Sequence, residues 1–87
     1  MYYVYVLRNP SGRLYIGSTE NLEKRVMRHK SGGVRWTSEH GPWELVYTET
    51  YNTRSEAMKR ERILKSGIAN QSLRAFLNQE KSNEQAG

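Results

Sequence analysis

The apolar positions of this chain move from strand spacing to helical spacing and back again. From Tyr2 to Leu7 the residues are β-branched or aromatic, apart from the final leucine, which marks a strand with both faces covered. Asn9-Pro10-Ser11-Gly12 reads as a turn, because proline pre-sets one dihedral and glycine accepts positive φ. Arg13 to Gly17 is a second short apolar run, so the two form a β-hairpin. Alternate side chains share a strand face, so Tyr3 and Tyr5 project together, and Tyr15 joins them if the hairpin register allows it.

Helical spacing takes over at Leu22, Val26 and His29, with Arg25 on the same side. This predicts a helix over Glu20–Lys30, with Ser18 and Thr19 as N-cap candidates and Gly32-Gly33 as its stop. Val34 to Pro42 is loop-like and holds Arg35, Trp36 and His40. Trp43 to Tyr51 alternates again and predicts a third strand. Thr53-x-x-Glu56 is a capping box before a second helix over Arg54–Ser66, with Gly67 as its C-cap. Ala57, Leu64 and Ile68 mark the inner stripe of that helix, and Glu61 takes its missing step, flanked by Lys59, Arg60, Arg62 and Lys65. A short apolar segment, Leu73–Leu77, predicts a third helix, and residues 78–87 read as a polar, disordered tail. The expected fold class is α/β of the α+β type, in a single domain over residues 1–77.

Composition narrows the chemistry. Eighty-seven residues leave room for one domain with a modest core, and the absence of cysteine excludes disulfides and cysteine zinc sites. Two histidines do not make a His-rich metal site, so any bound ion would need oxygen ligands, which favours magnesium or manganese. The N-terminus lacks the order of a signal peptide, and no segment has the length of a membrane span, so a cytoplasmic protein is expected. Fourteen Lys and Arg against nine Asp and Glu give a net charge of +5. That charge serves either solubility or a phosphate-binding surface.

Glu61 is the sharpest single signal, because a carboxylate on a core-facing stripe is costly unless something pairs with it. It is either a helix-edge acid paired with a neighbouring cation or a metal ligand facing substrate phosphate. Arg25 and His29 either line the edge of their helix or supply a phosphate clamp and a proton relay. Tyr3, Tyr5 and Tyr15 are sheet aromatics by default. A tyrosine hydroxyl can also orient a water, or deprotonate it if a nearby cation lowers its pKa. Trp36 beside Arg35 either caps the core or stacks on bases.

Together, Tyr3-Val4-Tyr5, then Tyr15-Ile16-Gly17, then Arg25, His29 and a later helical glutamate resemble the GIY-YIG nuclease domain, in particular the small bacterial proteins made of this domain alone. The resemblance implies a three-stranded antiparallel sheet flanked by helices, and hydrolysis of a nucleic-acid strand assisted by one magnesium or manganese ion. It assigns Tyr5 to the water-positioning group and Tyr15 and Gly17 to the second motif. Arg25 becomes the phosphate contact, His29 its companion and Glu61 the metal ligand, with Glu56 as the competing acid already explained by capping. Tyr3 stands where the family name has glycine, and the family's late asparagine has no clear match, Asn70 and Asn78 both being candidates. Nothing here fits the separate DNA-binding domain that most such nucleases carry. Selectivity would come from the basic face, with Arg35, Trp36, Lys59 and Arg62 as nucleic-acid contacts, from substrate structure or from a partner protein. The expected function is cleavage of nucleic acid, with DNA as substrate, and Tyr5 and Tyr15 on the hairpin face that opens onto Glu61. A nucleic-acid-binding module without cleavage and a basic interaction domain for an acidic protein are the alternatives.

Overall fold

The computed structural model describes residues 1–33 and 40–86, with side chains described through residue 79. Strands β1 (Tyr2–Arg8) and β2 (Leu14–Thr19) form the hairpin, followed by helix α1 (Leu22–Lys30). Strand β3 (Glu44–Tyr51), helix α2 (Arg54–Lys65) and helix α3 (Gly67–Ala86) complete the chain. The sheet is antiparallel with order β2-β1-β3, so β1 is central and β2 is an open edge. No helix among the described residues is long and apolar enough to cross a membrane.

The hairpin turn is organised by Asn9, a buried polar side chain. Its Oδ1 accepts from the Ser11 hydroxyl at 3.0 Å and the Arg13 amide at 2.8 Å, and Gly12 adopts φ 89° to close the loop. Pairing of Ser18 with Val4 and of Thr19 with Tyr3 keeps both residues in β2. The N-cap of α1 is therefore Asn21, whose Oδ1 accepts from the Lys24 amide, rather than Ser18 or Thr19. Gly32 at φ 82° ends this helix as predicted.

Helix α2 starts on the Thr53 cap, and Glu56 is used by it, its amide and carboxylate both bonded to the Thr53 hydroxyl. Its C-cap is Ser66, in extended conformation, with its hydroxyl donating to the Ile63 carbonyl at 2.6 Å. Gly67 instead opens α3, and Asn70 satisfies the end of α2 by donating from Nδ2 to the Leu64 carbonyl. That break removes Ile68 from the inner stripe, and it is 84 % exposed. α3 runs from Gly67 through Ala86, well beyond the predicted 73–77 and into the segment expected as a tail. No proline or glycine interrupts residues 68–86, and their Ala, Gln, Glu and Lys are good helix formers.

The strand period of two sorts the core into layers on either side of the sheet. Val4, Val6 and Ile16 face α2 and α3, packing with Ala57, Leu64, Leu73 and Leu77. Tyr5 and Leu7 face the other way with Trp43, against Tyr15, Leu22 and Val26. Each fully buried aliphatic or aromatic side chain contributes roughly 1.5–3 kcal/mol. An irregularity between Val6 and Leu7 in the β1–β3 register lets both Val46 and Tyr47 join the first layer.

A polar clamp ties β3 to α2. Glu49 accepts from the hydroxyls of Tyr47 and Tyr51 and receives both donors of Arg60, at 2.9 and 3.1 Å. Burial pushes the Glu49 carboxyl up, but the hydrogen bonds from Arg60, Tyr47 and Tyr51 together hold it below its ordinary 4.5. A depressed carboxylate stabilises the fold above its unfolded pKa and loses that contribution as pH falls through the folded one. Glu49→Gln should cost about 1–2 kcal/mol at neutral pH, Arg60 being partly screened by solvent. Chemical denaturation across pH should show the gap between wild type and variant closing below 4.5. A pH-independent gap would show that the charge of Glu49 is not what clamps the helix.

Opposite Tyr5 in β2 stands Gly17. A Cβ there would lie 2.5 Å from the Tyr5 Oη and 2.6 Å from its Cζ. The ring is buried and has no room to yield, so Gly17→Ala should destabilise the domain by roughly 1–3 kcal/mol. It should also break the contacts of the Tyr5 hydroxyl, visible as a shifted His29 ring resonance in NMR. An unshifted His29 with full stability would contradict this close approach.

Candidate active site

Tyr5 lies in the central strand, yet its hydroxyl reaches the edge of the sheet, because Gly17 leaves the backbone of β2 bare beneath the ring. There the hydroxyl is 2.9 Å from Nε2 of His29, which α1 holds almost fully buried. Tyr15 completes the aromatic group, with its ring centroid 4.6 Å from His29 and 6.3 Å from Tyr5. Trp43 backs it edge-on at 6.4 Å. The register explains the grouping: Leu7 pairs with Tyr15 and Tyr5 with Gly17, so both tyrosines share one face.

The electrostatics of this group are specific. Burial and the neighbouring Tyr15 push the Tyr5 hydroxyl up to about 12, while Arg25 counteracts them through its charge and a hydrogen bond. The hydroxyl is therefore protonated at neutral pH, because burial outweighs Arg25, and the condition of a cation-lowered pKa is not met. Burial, Arg25 and Arg28 hold His29 below its ordinary 6.5. In the Nδ1–H tautomer of the neutral imidazole, the Tyr5 O–H donates and Nε2 accepts; in the Nε2–H tautomer the direction is reversed.

Glu61 sits on the other side of the sheet. It projects from α2, and its Oε1 accepts from the Ser18 hydroxyl at 2.7 Å. Ser18 pairs with Val4, so it points to the face opposite Tyr5. The expectation that the tyrosines and Glu61 share one hairpin face is thus corrected. They converge around the open edge of β2, one from each side, and the Glu61 charge is still close enough to raise the Tyr5 pKa. A polar cleft of about 360 Å³ at this edge is lined by Ser18 of β2, Arg25 of α1, and Arg54 and Met58 of α2, among others. A second depression beside it is lined by Tyr15, Ile16, Lys65 and Asn70.

Glu61 combines both readings of its sequence context. Its Oε2 pairs with Lys65 Nζ at 2.7 Å, the i,i+4 partner, while the carboxylate remains 23 % exposed. No group of three or more His, Cys, Asp or Glu that could hold a metal exists among the described residues. A single exposed-edge carboxylate with a hydroxyl beside it suits a hard cation that keeps its waters and meets substrate phosphate, so the donor set fits magnesium or manganese.

The site thus gathers Tyr5, Tyr15, Arg25, His29, Gly17 and Glu61. Tyr3 pairs with Thr19 further along the hairpin and lines a groove with Leu22, Val26 and Leu45 instead. Lys59 and Arg62 are exposed and line neither depression at the edge; Arg54 and Lys65 do. Lys59 lies about 160° around the helix from Glu61 at ~100° per residue, which carries it away from the sheet. Arg35 and Trp36 lie outside the described residues. Of the two asparagines, Asn70 shares the Tyr15 depression, whereas Asn78 lines a recess with Arg8 and Trp43. Ser18 went unrecognised in the sequence. Its signal was a polar residue at a position alternating with Leu14 and Ile16, facing a core that demands a polar partner.

Comparison with known proteins identifies the family of this chain. The GIY-YIG catalytic domain family matches residues 1–72. A UPF0213 protein of Clostridium perfringens is 43 % identical over 74 residues, covering 84 % of this chain and 80 % of the relative. Another from Staphylococcus epidermidis is 40 % identical over 74 residues, covering 84 % and 90 %. The solution NMR structure of a UPF0213 protein from Bacillus halodurans superimposes with a TM-score of 0.54 at 32 % identity, covering 88 % of this chain and 85 % of that one. Its similarity and the α+β architecture agree, and the chain belongs to the GIY-YIG catalytic domain family, a nuclease-type family.

Proposed function

We propose that this domain is an endonuclease that hydrolyses phosphodiester bonds of DNA with the help of a magnesium or manganese ion. One observation carries the reading: the protonated Tyr5 hydroxyl bonded to a neutral His29 and touched by Arg25, at the strand edge that Glu61 approaches from the opposite face. A structural tyrosine has no need of a proton acceptor and a cation at its hydroxyl together.

Tyr5 is only 1 % exposed, so the attacking water gains access when Arg25 leaves the hydroxyl for a phosphoryl oxygen. There its planar fork offsets the charge that builds up as the water oxygen bonds to phosphorus. The Tyr5 oxygen takes the proton of the water while its own proton passes to Nε2 of His29. The P–O bond to the leaving oxygen breaks, and that oxygen is reprotonated by solvent. Tyr15, whose ring packs tilted against His29, restricts the movement of the imidazole during the transfer. Ser18 and Glu61 would hold the ion, which when bound supplies positive charge to the phosphate and the leaving oxygen.

With supercoiled plasmid and magnesium, nicking should be abolished by EDTA. It should fall at least about 100-fold in Glu61→Ala, Arg25→Ala and Tyr5→Phe. Unchanged cleavage by Glu61→Ala would remove the carboxylate from the mechanism. Salt-sensitive binding with no cleavage of plasmid, branched or single-stranded DNA would instead mark a binding module.

The relay also sets a pH dependence. His29 must be neutral to accept the proton, and its pKa is lowered, so the rate should hold through 6.5 and decline only below it. An acid limb centred above 6.5, or none at all, would show that another group receives the proton.

A further inference from the structure

Both oxygens of Glu61 are already engaged, one by Ser18 and one by Lys65. The two partners differ in kind. A hydroxyl can stay beside a bound cation, since its oxygen has lone pairs to offer. An ammonium 2.7 Å from Oε2 cannot, because a divalent ion on that oxygen would meet a like charge at contact distance. Glu61 is not part of any group of three or more His, Cys, Asp or Glu among the described residues, so no such cluster outweighs Lys65. Anything positive that binds Glu61 must therefore displace the lysine.

Lys65 can move. It sits at the last position of α2, its side chain is 54 % exposed, and its four-carbon stem is flexible. The neighbouring space is not empty of chemistry. Lys65 lines a depression with Tyr15 and Asn70, next to the cleft lined by Arg25 and Arg54 along the same edge strand. A phosphate backbone following this edge would meet Arg25 and Arg54 on one stretch and Lys65 on the next.

We propose that Lys65 is a gating cation: it masks Glu61 in the free protein and transfers to a substrate phosphate in the Tyr15–Asn70 depression when the metal ion arrives. Ion loading and nucleic-acid binding then reinforce each other, since each removes an obstacle to the other. An exposed ion pair of this type is weak enough to be displaced by substrate, yet strong enough to suppress idle loading of a one-carboxylate site. Lys65 acts through Glu61 and is a positioning residue. The inference rests on the reading of Glu61 as the metal ligand.

Manganese titration followed by EPR separates the two. Lys65→Met removes the charge and keeps the stem, and Lys65→Arg restores a cation; thermal melts confirm that each variant folds. Lys65→Met without DNA should bind manganese about two- to five-fold more tightly than wild type, the range of an exposed pair. Lys65→Arg should return to wild type. Adding a short phosphorothioate duplex should raise manganese affinity in wild type and less in Lys65→Met. Equal or weaker binding by Lys65→Met, with binding lost in Glu61→Gln, would overturn the role of Lys65 and leave Glu61 in place. Undiminished binding by Glu61→Gln would remove the metal site and the gate together.

Discussion

The missing side chain at Gly17 is what the rest of the site depends on. A central strand normally keeps its aromatics inside the sheet, and Tyr5 would be one more core residue if β2 carried a Cβ in its way. With the backbone bare, the phenol lies across the neighbouring strand and delivers its hydroxyl to the edge. His29, Arg25 and Tyr15 gather at that hydroxyl, and each depends on it for its own geometry. One position without a side chain therefore converts a packed tyrosine into a chemical group.

The second constraint is that the two halves of the site stand on opposite faces. α1 carries the phenol's partners, and α2 carries the carboxylate. Their alignment is set through the sheet by two polar contacts of α2, Glu61 to Ser18 and Arg60 to Glu49, on adjacent helix positions. Ala57 and Leu64 bury the helix between them. Two polar contacts added to a buried apolar face fix the rotation of a helix about its axis, which apolar packing alone leaves loose.

Much of this was legible in the residues. Alternation put Tyr3 and Tyr5 on one face, and helical spacing put Arg25 and His29 on one side of α1. Glu61 stood out as an acid on an apolar stripe, which is its position here. Which face of the sheet α2 would cover was not legible, because periodicity orders residues within an element and says nothing of the side from which another element arrives. That is why Glu61 was expected to face the tyrosines directly. Gly67 was read as a cap for a related reason: a helix stop and the start of the next helix look alike in sequence until an extended Ser66 separates them. Ser18 was attributed to a cap for α1, since Ser and Thr before a helical run carry that signal whether or not the strand continues through them.

The open edge of β2 has one more consequence. An unpaired strand edge is a template for another strand, and bare edges promote sheet-to-sheet aggregation. Here the edge is bordered by Arg25, Arg54 and Lys65, so two copies approaching edge to edge would bring like charges together. The cations that border β2 thus also oppose edge-to-edge pairing of this strand. A substitution that neutralises them would remove this opposition along with any role the same charges have in the proposed phosphate contact.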